Sequence, residues 1–181
     1  KWKKAKGAAS YAVYAAKSGK ANRLTKIATT KGSSYTVRKA GVKLRKGRYY
    51  KFMIVALDKN NKVVTAGQII HAATKGSKYA ANPAGVVIKA KVNAKGKKIK
   101  QYKVLKKTVI KAGKSVRIRA AVKKAKSAKI RKYIGIRFSS SNPKVAQVSA
   151  GGKITAVSKG TCRIYAVAQN GKAKAIKITV K

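Results

Sequence analysis

The chain has 181 residues, of which 48 are Lys or Arg and one, Asp58, is acidic, for a formal charge of +47. Acid–base pairs, carboxylate-bound metals and hydrolase triads need carboxylates or histidines in company, and this chain has only Asp58 and His71. Composition therefore argues against an enzyme, and no cofactor or metal is expected. Apolar residues still make up 45%, and they alternate with Lys in the manner of half-buried strands, not of a disordered polycation. Lysine outnumbers arginine 39 to 9, which favours mobile point charges over planar, bidentate recognition.

Along the chain, Trp2 and Lys6-Gly-Ala8 lead into the apolar run Tyr11-Ala-Val-Tyr14, with a turn signal at Lys17-Ser-Gly-Lys20. Leu44-Arg-Lys-Gly47 precedes Tyr50, Phe52, Ile54 and Ala56, apolar at every second position. Asp58-Lys-Asn-Asn61 reads as a turn whose carboxylate accepts backbone N–H bonds. A last strand runs near Gln68 to Thr74 and carries His71 as an ordinary strand residue. Residues 76–85, rich in Gly, Ser, Asn and Pro, read as a linker between domains at 1–75 and 86–181.

In the second half, Val109 to Lys114 and Val116 to Val122 continue the pattern. Val116, Ile118, Ala120 and Val122 share one face, Arg117 and Arg119 the other. The run from Lys123 to Lys132 reads as a charged loop between strands. Cys162 has the phase of Ile164, Ala166 and Ala168, which makes it a buried core thiol. No apolar run approaches the roughly 20 residues of a membrane helix, and Lys1 opens no signal-peptide pattern. The expected fold class is all-β, two tandem Ig-like β-sandwiches.

The first half resembles a fibronectin type III domain, on Trp2, Tyr11 to Tyr14, Leu44 to Gly47 and the alternation from Tyr50 to Ala56. The resemblance implies a core tryptophan on a strand and a corner tyrosine, Tyr50, with its hydroxyl bonded to nearby backbone. Only Lys1 precedes Trp2, so the family's first strand is missing. A segment outside these residues is expected to complete the sheet, and strand donation between copies would give self-association and filaments.

The second half resembles a bacterial Ig-like domain of group 2, on Ser139-Ser-Ser-Asn-Pro-Lys-Val-Ala-Gln-Val148, Gly152 to Val157, Lys159 to Ala168 and Ile176 to Val180. That resemblance implies an extracellular or cell-surface protein with no catalytic or metal site.

A surface with almost no acids points to polyanions. Counterion release on binding supplies affinity without base readout. The candidate contacts are Lys123, Lys124, Lys126, Lys129, Arg131 and Lys132 as the densest cluster, the outward Arg117 and Arg119, the run Lys95, Lys97, Lys98 and Lys100, and the loop Lys43, Arg45, Lys46 and Arg48. Tyr49, Tyr79, Tyr102, Tyr133 and Tyr165 lie beside cations and are candidates for stacking. DNA is the leading ligand, followed by teichoic acid, polyphosphate and sulfated glycans. The alternative is a structural stalk or adhesin module held to anionic cell-wall polymers.

Overall fold

Alternating apolar and cationic residues form strands throughout the computed structural model, which describes residues 1–37, 42–91, 102–104 and 107–181. Those residues are all-β, and two units contain them: Lys1–Asn82 with Ala128–Arg131, and Pro83–Ser127 with Lys132–Lys181.

The described residues of the first unit form an antiparallel sheet of β1 (Ser10–Lys17), β2 (Thr25–Thr30), β3 (Tyr49–Leu57), β4 (Val63–Ala66) and β5 (Ile70–Ala73), in the order β2-β1-β3-β4 with β5 also on β3. Pairing of Tyr11 with Ala56, Val13 with Ile54, Ala15 with Phe52 and Lys17 with Tyr50 sets the expected apolar alternation of β3 on one face. Trp2 packs on that face, its ring centroid 5.4 Å from that of Tyr11.

The segment carrying Trp2 is not the ladder strand that the fibronectin-type resemblance implies. One backbone bond, Trp2 N–H to Ser33 O at 2.9 Å, ties it to residues 33–37, and neither segment is regular strand. The exposed Lys1, Lys3, Lys4 and Lys6 around it leave Trp2 as the one large apolar side chain of its segment. The corner tyrosine is present. Tyr50 is buried, and its hydroxyl accepts the Arg45 N–H at 2.8 Å and donates to Lys43 O at 3.1 Å. Asp58 closes its turn as expected, Oδ1 accepting the N–H groups of Asn60 and Lys62 at 2.8 Å each.

The second unit is a two-sheet sandwich. One sheet orders β10 (Ile136–Ser140), β13 (Gly160–Ala168), β14 (Ala173–Val180) and β8 (Lys107–Ile110), with β8 parallel to β14. The other orders β11 (Ala146–Val148), β12 (Lys153–Ala156), β9 (Ser115–Lys123), β6 (Gly85–Lys91) and β7 (Tyr102–Val104), so β6 begins at Gly85, inside the segment read as linker. Between the sheets lies a core of Ile88, Ile118, Ile154, Ile164, Ile176, Ile178 and Val180, with Cys162 buried among them. Each such isoleucine contributes about 1.5–3 kcal/mol by leaving water. Gly152 fits where no side chain would, because at φ +77° a Cβ would stand 2.5 Å from the Ile118 carbonyl oxygen.

Candidate polyanion-binding surfaces

Strand pleating, with apolar side chains taken by the core, sends the alternate cations outward. On β9, Ile118 is buried while Arg117 and Arg119 are exposed, as their phase requires. Strand pairing then decides which cations meet. Lys153 lies opposite Arg117, and Lys89 opposite Arg119. On the other sheet Arg163 lies opposite Lys177, and Lys177 opposite Lys107. Both outer faces of the second unit thus carry cations directly across from cations, an arrangement that destabilises a strand pair.

The six cations of the densest sequence cluster do not share one unit. Lys123, Lys124, Lys126 and Lys132 belong to the second, with Lys123 closing β9, while Lys129 and Arg131 belong to the first. There the Lys129 N–H donates to Lys78 O at 2.7 Å, and the Arg131 guanidinium stacks 5.0 Å above the Tyr79 ring centroid. The Lys78 ammonium lies 5.3 Å from the same ring, so the ring expected to stack on a ligand already meets two cations of its own chain.

In the first unit Lys43, Arg45 and Arg48 line an open cleft of about 480 Å³ together with Val42, Tyr50 and Lys17 of β1. Lys46 is exposed but does not line it. The loop is held from below by Tyr50 and by Thr74, whose hydroxyl donates to Arg45 O at 2.6 Å and accepts the Arg48 N–H at 3.1 Å. Lys95, Lys97, Lys98 and Lys100 lie outside the described residues, as does the side chain of Tyr102. The Tyr49 hydroxyl donates to Ala81 O at 3.0 Å, and Tyr165 is half-buried on the outer face of β13. His71 Nδ1 lies 2.9 Å from Ser18 Oγ, a strand-to-loop contact.

Sequence reasoning missed Lys17, Lys89, Lys107, Lys153, Arg163 and Lys177. Alternation turned the strand cations outward, but only the registers show that the last five stand opposite other cations, while Lys17 lies opposite Tyr50 beside the cleft.

A two-sheet Ig-like sandwich with cationic outer faces is the class of domain that these observations define. Residues 98–179 match the model of the bacterial Ig-like domain (group 2). Among solved structures, an EHEC O157:H7 intimin mutant shares 19% identity, over 52% of this chain and 45% of that one, with a TM-score of 0.36. The protein thus spans less than half the length of that chain. No curated protein matches the sequence. Among the described residues no helix is long and apolar enough to cross a membrane.

Proposed function

We propose that the protein is a non-enzymatic module of a bacterial surface protein, a stalk or adhesin unit held to anionic cell-wall polymers by its outward cations. One observation carries this reading: the stretch that matches the bacterial Ig-like family is the one folded into a sandwich with cation pairs on both outer faces. The expectation of a DNA-coating protein has weaker support. Tyr79, one of the rings expected to stack on bases, already meets Lys78 and Arg131 of its own chain.

Anchoring would work by counterion release. Each phosphate neutralised on a flexible polymer contributes about −0.7 to the slope of log affinity against log salt, so ten contacts give about −7. The test is retention on purified cell walls that carry teichoic acid, against the same walls after acid extraction, over a salt series. Strong retention on the first, lost on extraction and released steeply by salt, is the expected result. Equal retention on both, or a slope shallower than about −3, overturns the anchoring.

A further inference from the structure

Among the described strand pairings, the longest line of opposed cations crosses the sheet β10-β13-β14-β8. Lys107 on the edge strand β8 faces Lys177 on β14, and Lys177 faces Arg163 on β13. Beyond Arg163 the line reaches Ser141, which follows β10, where the Arg163 N–H donates to the Ser141 hydroxyl at 2.9 Å. All three cations are exposed. With strands about 4.8 Å apart, three positive charges stand along roughly 10 Å of surface, perpendicular to the strands.

We infer that this row, Lys107–Lys177–Arg163, is the binding track for a flexible linear phosphodiester polymer lying across the strands. The inference rests on the anchoring reading and gives it a location. Three observations support it. First, Lys177 suffers like-charge neighbours on both sides, a stability loss that the neighbouring row avoids: there Thr161 faces Thr179, which faces the exposed Val109. An anion laid along the track would turn that repulsion into attraction. Second, the residues beside Lys177 on its own face of β14 are Ala175 and Thr179, too short to wall the track off. Third, among the described strand pairings, the opposed cations of the other sheet come in twos, Lys153 with Arg117 and Lys89 with Arg119.

The row also favours one kind of phosphodiester. Double-stranded DNA is stiff over about 150 bp, and a straight rod meets a twisted sheet at few points. A single flexible chain, such as poly(glycerol phosphate), can follow three cations in line.

The experiment compares two triple variants of the full chain with equal charge loss. One is Lys107→Gln, Arg163→Gln, Lys177→Gln; the other is Lys111→Gln, Lys114→Gln, Lys172→Gln, at exposed turn positions. Each is titrated with poly(glycerol phosphate) teichoic acid and with duplex DNA across a salt series, after a thermal melt shows that it folds. The row triple is expected to lose about tenfold or more in teichoic-acid affinity near physiological salt, with a slope shallower by about 2, three contacts at about 0.7 each. The turn triple should keep the wild-type slope.

Lys177→Gln alone separates binding from stability. It should raise the Tm of the free protein yet shrink the Tm increase on adding teichoic acid, whereas replacing a merely structural lysine would lower the free Tm and leave that increase unchanged. Equal losses in the two triples leave the anchoring standing and overturn the track. Duplex DNA bound as tightly as teichoic acid through the same three residues overturns the flexible-chain assignment. If the intact protein ignores both polymers, the anchoring and the track fall together.

Discussion

In the first unit the strand cations Lys17, Lys26 and Lys51 lie opposite Tyr50, Tyr14 and Ala16, with His71 on the other side of Lys51. In the second, Lys153 faces Arg117, Lys89 faces Arg119, and Lys177 faces both Arg163 and Lys107. Both units come from one lysine-rich chain, so composition does not explain the contrast. Register does, because it decides whether an outward lysine meets an aromatic or small residue or another positive charge. The interiors differ as well. The second unit buries an isoleucine-rich layer between two sheets, while the described core of the first is built from Tyr11, Ala12, Val13, Ala15 and Ala16 of β1, Tyr50, Val55 and Ala56 of β3, and Ile130.

The largest expected effect tests the contrast in cores. Ile164 is fully buried, so Ile164→Ala should cost about 2–5 kcal/mol. Trp2, the one tryptophan, reports on the first unit alone. Denaturant titration should therefore show the circular dichroism transition moving while the tryptophan fluorescence transition stays in place. A shared shift would mean that the two units unfold as one, and the comparison would lose its basis.

Gly152→Ala comes next, at about 1–3 kcal/mol for the left-handed backbone, with more from the contact to the Ile118 carbonyl. A melt of this variant that matches wild type would show that the turn before β12 shifts freely, and that the register setting Lys153 against Arg117 is soft.

In the first unit, Tyr50→Phe removes a hydroxyl bonded to both Lys43 O and Arg45 N–H. A loss of about 1–2 kcal/mol is expected, read by Trp2 fluorescence. Unchanged stability would deny the corner its role in holding the cationic loop.

The smallest effect has the opposite sign. Lys177→Gln should stabilise the free protein by a few tenths of a kcal/mol, about the lower end for a cross-strand pair, and the gain should shrink as salt screens the row. Lys51→Gln, whose cross-strand neighbours are Ala16 and His71 and include no lysine or arginine, should give no such salt-dependent gain. Equal responses at the two positions would erase the contrast between the registers.

Much of this was legible in the order of residues. Period-two alternation fixed the all-β class, placed Ile118, Cys162 and Ile164 inside, and turned Arg117 and Arg119 outward, because a pleated strand leaves a side chain only two faces. The Asp58 turn and the Tyr50 corner were equally local: a carboxylate reaching amides two and four residues on, a phenol reaching backbone five and seven residues back. The motif order from Ser139 to Val180 marked the bacterial Ig-like domain. What sequence could not supply was pairing across distance. That the Trp2 segment forms no ladder, that Lys129 and Arg131 join the first unit, and that Lys107, Lys177 and Arg163 stand in line depend on which strands become neighbours and in what register. Those neighbours are up to 70 residues apart in the chain, as Lys107 and Lys177 are, and shifting one strand by a single residue would send these cations to the core face.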